Sequence, residues 1–114
     1  MPHGEYMLDT NGNPVEAPDA LTWGKWMQTA NRHVAVDEIG PSKVSTVFLG
    51  LDHSCVAGDP VLWETMVFGG PLDGEQDRYT SRDDAVKGHA TFVERVKAAS
   101  TEETKIVGGG TTRG

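Results

Sequence analysis

Residues 44–68, VSTVFLGLDHSCVAGDPVLWETMVF, contain the two segments that decide the fold. Residues 44–51 and 61–68 are rich in β-branched and aromatic side chains, which pack well on a pleated sheet. The segment between them carries Gly58 and Pro60, residue types that favour turns. This order of strand, loop and strand predicts a central β-hairpin.

The two predicted strands are apolar on both faces. Residues alternate between the faces of a strand, and apolar side chains occupy most positions of either alternation, with Glu64 as the charged exception. A strand of this type is covered on both sides, or is covered on one side and takes part in an oligomer interface on the other. A homodimer, in which a second copy of the chain covers one face, is therefore an open alternative.

A first helix is predicted after Asp19, a residue type that caps helix N-termini. Apolar residues then recur with helical spacing, and Trp23 and Trp26 share one face. The helix is predicted to run from Ala20 to about Arg32. Because two tryptophans carry a large apolar area, we expect their face to pack on the sheet, with an interface as the alternative.

A second helix is predicted after Ser81, because Ser81-Arg82-Asp83-Asp84 has the form of a capping box. The helix is predicted to run to about Ala99. Residues 101–114 lose the helical period and are rich in Gly and Thr, so we expect a flexible tail there. The inward face of the helix is predicted to carry Ala85, His89, Phe92, Val93 and Val96.

Three shorter segments complete the predicted architecture. The turn dipeptide Asn11-Gly12 predicts a small hairpin within residues 5–16. Residues 34–39 and 75–80 are predicted as short strands, and strands joined by short turns favour an antiparallel sheet. We therefore predict one α+β domain over residues 1–100, with an antiparallel sheet of about four to five strands built on the central hairpin and two amphipathic helices packed on it.

The composition restricts the classes of partner. The chain has 114 residues and a formal net charge of −7, from 17 acidic and 10 basic residues. Nucleic-acid binding depends on clustered Lys and Arg, so we expect a protein or a small-molecule partner and no nucleic acid. Cys55 is the only cysteine, which excludes an internal disulfide. The sequence has neither a secretory signal pattern nor a membrane-spanning apolar run, so we expect no membrane partner and a cytoplasmic location.

The sequence Asp52-His53-Ser54-Cys55 lies where the first central strand meets its loop. Asp, His and Cys serve in acid-base, nucleophilic and metal chemistry, and loops at the rim of a sheet often hold functional groups. The structural alternative is a polar loop start, in which Asp52 caps turn amides and Cys55 is a small, partly buried residue. We favour that alternative, because consecutive strand residues point to opposite faces.

Glu64 is a carboxylate inside an apolar strand, and such a group must be paired or neutralised, which makes it a candidate site residue. In a hairpin centred near Gly58, Glu64 falls opposite residues 50–51 and within reach of Asp52 and His53. Asp52, His53 and Glu64 are therefore the candidate catalytic set. The alternative that we favour is a partly exposed Glu64 that pairs with a basic residue: Arg32, Lys43 or Arg78.

His89 lies on the inward face of the second predicted helix, next to Gly88. Glycine in a helix interior costs ~1 kcal/mol relative to alanine, so we expect another part of the backbone to approach Gly88 closely. We interpret His89 as a core residue; the alternative is a metal site formed with His53 and Glu64. No motif spacing supports a metal or another cofactor, and none is predicted. The candidate ligand-binding residues are Asp52, His53, Glu64 and His89.

Several strings resemble a family of small, uncharacterised proteins that phages and prophages carry. They are KVSTVFLGLDHS, LWETMVFGGPLD, then Tyr79, Ser81 and the pair Gly88-His89, and the early LDTNGNPVE and the Trp-bearing helix are also similar. The resemblance covers about residues 6–98 and departs at Cys55-Val56, where the relatives carry an aromatic residue and a glycine. The family has no assigned activity, so the resemblance implies a phage context and no catalytic residues.

Three hypotheses follow. The first is a non-catalytic, phage-derived accessory protein that acts in the host cytoplasm as a binding or interaction module for a host protein or a small ligand. The second is a small metal-assisted or acid-base hydrolase that uses Asp52, His53 and Glu64. The third is a structural or assembly role in a virion. Convergence of the side chains of Asp52, His53, Glu64 and His89 on one pocket would favour the second.

Overall fold

A computed structural model describes residues 4–54 and 58–109 of the chain and confirms the predicted α+β fold. The elements follow in the order β1 (Tyr6–Leu8), β2 (Pro14–Glu16), α1 (Ala20–Thr29), β3 (His33–Ile39), β4 (Ser42–Phe48), β5 (Trp63–Phe68), β6 (Gln76–Tyr79) and α2 (Arg82–Gly109). Strands β3 to β6 form a four-stranded antiparallel sheet in sequence order, and β1 and β2 form a separate hairpin.

The central hairpin is formed by β4 and β5, which pair with Phe48 opposite Trp63. Its first strand is shorter than predicted, because it ends at Phe48 instead of continuing to Leu51. Gly50 has a φ of +80°, which turns the chain out of the strand. Leu51 then forms an isolated β-bridge with Glu5. The connection between β4 and β5 is therefore longer than predicted, and the centre of the hairpin lies closer to β4.

The core lies between one face of the sheet and α2. One cluster of buried residues contains Val44, Val67, Phe92 and Val96, and a second contains Phe48, Leu62, Trp63 and Ala85. The inward residues predicted for the second helix thus face the sheet, with Val93 partly buried beside them. Alternation within the strands explains why Val44 and Phe48 are buried while Ser45 and Val47 between them are only half-buried.

Helix α1 lies at the end of the same face, where Trp26 packs against the second core cluster. Asp19 caps it as predicted, accepting a hydrogen bond from the Thr22 amide at 2.7 Å. The Trp26 ring contacts the Phe48 ring edge-on, with 5.9 Å between centroids. The helix ends at Thr29, three residues before the predicted Arg32, and none of its residues is fully buried.

Helix α2 is longer than predicted, since it continues past Ala99 to Gly109. The sequence after Ser100 contains good helix formers and no proline, so nothing in it stops the helix before the glycines at the end. Residues 110–114 of the predicted tail lie outside the described residues. Neither α1 nor α2 combines enough length and apolar content to cross a bilayer, within the part of the chain that the structure describes.

The second face of the sheet has no covering layer among residues 4–54 and 58–109. We call it the open face; its central side chains are exposed or half-buried, namely Val36, Ser45, Val47, Met66 and Phe68. The apolar content that the sequence places on both sides of these strands is therefore covered on one side only.

Candidate functional site

Asp52 holds together the two ends of the loop that joins β4 to β5. Its Oδ1 accepts hydrogen bonds from the amides of Ser54 at 2.8 Å and Val61 at 2.9 Å. Both hydrogen bonds stabilise the charged carboxylate, and the one from Ser54 does so most. They lower the pKa of the Asp52 carboxyl below its ordinary value. The arrangement agrees with the interpretation of Asp52 as a cap for turn amides.

His53 continues the same loop contact through its backbone. Its amide donates to the carbonyl of Val61 at 2.9 Å, and the residue is exposed. Cys55, the other reactive residue of this cluster, lies outside the described residues. The loop end is therefore defined by the Asp52 carboxylate and by one main-chain bond, from the His53 amide to the Val61 carbonyl.

Glu64 lies on the open face and is paired with a base. Its Oε2 accepts from Arg78 Nε at 2.9 Å, and its side chain is only 14% exposed. Arg78 was one of three predicted partners. The predicted position opposite residues 50–51 is wrong, because the earlier end of β4 places Glu64 opposite Val47.

The other two predicted partners of Glu64 have different contacts. Arg32 donates from Nη1 to the carbonyl of Phe48 at 2.9 Å, and the Lys43 ammonium lies 5.2 Å from the centroid of the Phe68 ring. Arg32 thus supports the end of β4, where the chain leaves the sheet.

His89 is a buried residue whose two ring nitrogens both have partners. Nε2 lies 2.7 Å from Asp37 Oδ2 and Nδ1 lies 2.7 Å from Thr46 Oγ1. Its exposure is only 6%. The carboxylate of Asp37 accepts only, so Nε2 carries a proton and donates it to this hydrogen bond. These bonds agree with the interpretation of His89 as a core residue.

A chain of hydroxyl groups extends this contact across the sheet. Thr46 Oγ1 lies 2.5 Å from Thr65 Oγ1, and the Tyr79 hydroxyl donates to Thr65 at 3.1 Å. Burial raises the pKa of the Tyr79 phenol, which favours its protonated, donating form. With a neutral imidazole, four residues can donate one hydrogen bond each and Asp37 only accepts: Tyr79 to Thr65, Thr65 to Thr46, Thr46 to Nδ1 and Nε2 to Asp37. We call these five residues the polar chain.

Gly88 allows Tyr79 to occupy its place in the polar chain. A Cβ atom at position 88 would overlap Oη, Cζ and Cε1 of Tyr79. The expected close approach to Gly88 therefore occurs, but it is made by an aromatic side chain and not by backbone.

The four candidate residues do not form one site. Glu64 lies on the open face, whereas His89 lies on the face covered by α2. The Asp52 carboxylate accepts from the Val61 amide, three residues before Glu64, and three residues of extended chain span about 10 Å. The described residues contain no group of three or more His, Cys, Asp or Glu that could hold a metal ion, so His53, Glu64 and His89 do not form the alternative metal site.

The residues that sequence reasoning missed are the other members of the polar chain. Asp37 and Thr46 bind His89 directly, and Thr65 and Tyr79 extend the chain from Thr46. A signal for two of them was present. Thr46 and Thr65 occupy inward positions of apolar strands, and a buried hydroxyl needs a hydrogen-bond partner.

Comparison with known proteins adds no family to these observations. No protein-family model matches the chain, and neither a curated protein nor a solved structure is significantly similar to it.

Proposed function

We propose that the chain is a non-catalytic binding module of phage or prophage origin, which acts in the host cytoplasm on a protein or small-molecule partner. The observation that carries this proposal is that three of the four candidate side chains are held by internal bonds, whereas His53 is exposed. Asp52 binds loop amides, Glu64 binds Arg78, and His89 belongs to the polar chain. A general acid or base must reach the substrate. His89 is buried, and the carboxylates of Asp52 and Glu64 are engaged by loop amides and by Arg78.

The surface we assign to protein binding is the open face, and its proposed occupant is a second copy of the chain. The centre of this face is uncharged, since Val36, Ser45 and Met66 are neighbours across three strands. Around the centre lie two acids and two bases: Glu38, Lys43, Glu64 and Arg78.

This charge pattern favours self-association. The face is close to neutral although the chain as a whole carries a formal charge of −7. Two copies that meet there avoid the net repulsion that other surfaces would produce, and they bury apolar side chains that a single copy leaves in water. Symmetric pairing of one surface with itself is the commonest arrangement of soluble oligomers.

Sedimentation velocity across a wide concentration range tests the assignment. We expect a concentration-dependent dimer for the natural chain and a monomer for Val36→Lys, whose side chain is 46% exposed and therefore tolerates replacement without unfolding. Ala98→Lys, at an exposed position of α2, is the matched control and should dimerise normally. A natural chain that stays monomeric throughout, or equal loss of the dimer in both variants, contradicts the proposal.

A substrate panel tests the non-catalytic part separately. We expect no turnover of ester, amide or phosphodiester substrates by the natural chain, with or without added divalent metal. Turnover that is abolished by Glu64→Gln or His53→Ala would overturn the binding-module proposal and restore the hydrolase hypothesis.

A further inference from the structure

The polar chain crosses the whole sheet beneath α2. Each strand of the sheet and the helix contribute one member, in the order Asp37 (β3), His89 (α2), Thr46 (β4), Thr65 (β5) and Tyr79 (β6). Hydrogen bonds of 2.5 to 3.1 Å join successive members. The three middle members are buried, whereas Asp37 is exposed and Tyr79 is half-buried. The polar chain therefore connects the two edge strands of the sheet through its core.

The two threonines force these hydrogen bonds to point in one common direction. Within the described residues, Thr46 Oγ1 is hydrogen-bonded only to Thr65 and His89. Thr65 Oγ1 is hydrogen-bonded there only to Thr46 and Tyr79. Each hydroxyl has one proton, so it donates to one neighbour and accepts from the other. Both threonines are fully buried, so neither hydroxyl can turn to water instead. If one hydroxyl reverses, the next must reverse as well.

The protonation state of His89 sets that direction. With one ring proton, on Nε2, the imidazole accepts at Nδ1, and the hydroxyls donate in sequence from Tyr79 toward His89. A second proton, taken from water, enters at Nδ1, because Nε2 already holds one. Nδ1 then donates to Thr46, so Thr46 must donate to Thr65 and Thr65 must donate to Tyr79 Oη. The hydroxyl groups only rotate about their C–O bonds, and no O–H bond breaks.

The charges on the covered face of the sheet favour this second proton. Helix α2 packs against all four strands. The titratable side chains at strand positions on that face are Asp37 on β3, and Asp77 and Tyr79 on β6. The corresponding positions of β4 and β5 are uncharged, and no Lys or Arg occupies such a position in the described strands. The buried residues of α2 on either side of His89 are apolar. Two carboxylates and no base therefore lie on its side of the sheet, and Asp37 is bonded to it directly.

We propose that the polar chain is a pH-sensitive switch, in which uptake of the second ring proton by His89 reverses every hydrogen bond from Nδ1 to Tyr79. At higher pH the Tyr79 hydroxyl donates into the polar chain. At lower pH its oxygen accepts from Thr65, and its own proton is free to bind an acceptor outside the polar chain. In both states each buried hydroxyl keeps one donor and one acceptor, so α2 stays bound to the sheet. The switch is independent of the proposed binding role and of the open face.

The variant Tyr79→Phe, which keeps the ring, separates the two states. In the neutral state it removes one hydrogen bond that Thr65 accepts, and the Thr65 proton still has Thr46 as its acceptor. In the charged state the same change leaves the buried Thr65 proton with no acceptor. An unsatisfied buried donor is costly, so the variant should bind the second proton about tenfold more weakly. The pH at which His89 is half-protonated should therefore fall by about one unit.

Tyr6→Phe is the matched control. Tyr6 packs against the second core cluster from outside the polar chain, so the loss of its hydroxyl should leave the pH of half-protonation of His89 unchanged.

The measurement is ¹⁵N NMR of the imidazole rings in the full chain, recorded as a function of pH. The chain has four histidines, and His3→Gln, His33→Gln and His53→Gln assign the signals of the other three. At higher pH we expect His89 to carry its proton on Nε2. At lower pH we expect it to gain a proton on Nδ1 while circular dichroism still shows a folded chain.

Four results would overturn the switch. The first is a His89 ring that stays neutral until acid unfolds the chain, and the second is a neutral ring that carries its proton on Nδ1. The third is a pH of half-protonation that is unchanged or raised in Tyr79→Phe. The fourth is an equal fall in Tyr6→Phe, which would show that the effect does not depend on the polar chain.

Discussion

Replacement of Gly88 by alanine should destabilise the protein, although the same change stabilises most helix interiors. Gly88 lies within α2, and a Cβ there would lie closer than 3.0 Å to Oη, Cζ and Cε1 of Tyr79. Real Cβ atoms essentially never approach other atoms so closely, so the ring must withdraw. Its hydroxyl then loses the 3.1 Å hydrogen bond to Thr65.

The expected size of the effect combines three contributions. Overpacking costs about 1 to 3 kcal/mol and the lost hydrogen bond about 1 kcal/mol, while alanine returns about 1 kcal/mol of helix propensity. The net loss for Gly88→Ala is therefore about 2 kcal/mol. For a chain of this length that loss corresponds to a fall in Tm of about 8 °C.

Urea denaturation followed by circular dichroism measures the loss, and Gly24→Ala provides the matched control. Gly24 also lies inside a helix, but a Cβ there meets nothing within 4 Å, so the control should gain up to about 1 kcal/mol. In a Tyr79→Ala background the Gly88→Ala change should become stabilising as well. The steric argument is refuted if Gly88→Ala stabilises the natural chain as Gly24→Ala does.

Three further predictions concern the loop, the polar chain and the turn after β5. Asp52→Asn should destabilise the protein by about 1 kcal/mol at neutral pH. Folding lowers the pKa of Asp52, so its contribution to the free energy of unfolding is present above the unfolded-state pKa and is lost as the pH falls through the folded-state pKa. The denaturation curves of the natural chain and of Asp52→Asn should therefore converge below about pH 4. His89→Ala should cost about 3 kcal/mol in urea denaturation, from a cavity and lost hydrogen bonds; a cost under 1 kcal/mol contradicts the polar chain. Gly70 and Gly74 both have a positive φ, but only at position 70 would an added Cβ atom overlap Ser42. Gly70→Ala should therefore lower Tm more than Gly74→Ala.

Local sequence rules were sufficient for most elements of the fold. The β-branched and aromatic content of residues 44–51 and 61–68 predicted the central hairpin, and capping chemistry located the starts of both helices at Asp19 and Ser81. These features depend on neighbours in sequence, which is why they can be read without tertiary information.

The positions of strand and helix ends were less predictable. The chain leaves β4 just before Gly50, whose carbonyl accepts a hydrogen bond from the Trp23 indole of α1 and where a Cβ atom would overlap Met27. The predicted strand continues to Leu51 and the predicted hairpin is centred near Gly58, which is too late in the chain, so Glu64 falls opposite the wrong residues. A register error of this kind follows whenever a tertiary contact decides where a strand stops.

Tertiary contacts limit the prediction of the candidate site residues even more than the prediction of strand ends. Asp52 and Glu64 were interpreted from local chemistry, and their favoured structural roles agree with the hydrogen bonds they make. The partners of His89 come from strands 43 and 52 residues away, and no local pattern joins Asp37 or Thr46 to a helix that far along the chain. Cross-element polar contacts are set by the packing of the whole domain.

The polar chain determines the register of β4 and β5, although its net contribution to stability is small. Thr46 and Thr65 lie directly opposite each other in the β4–β5 register, and both are fully buried. A slip of one residue between these strands would turn one threonine toward the open face and leave the other without its partner beneath α2. Hydrogen bonds of this kind contribute little net stability, but an unsatisfied buried hydroxyl is costly, so the penalty falls on every alternative register. The polar chain thus selects one pairing of the central strands, and through Asp37 and His89 it fixes α2 against that same pairing.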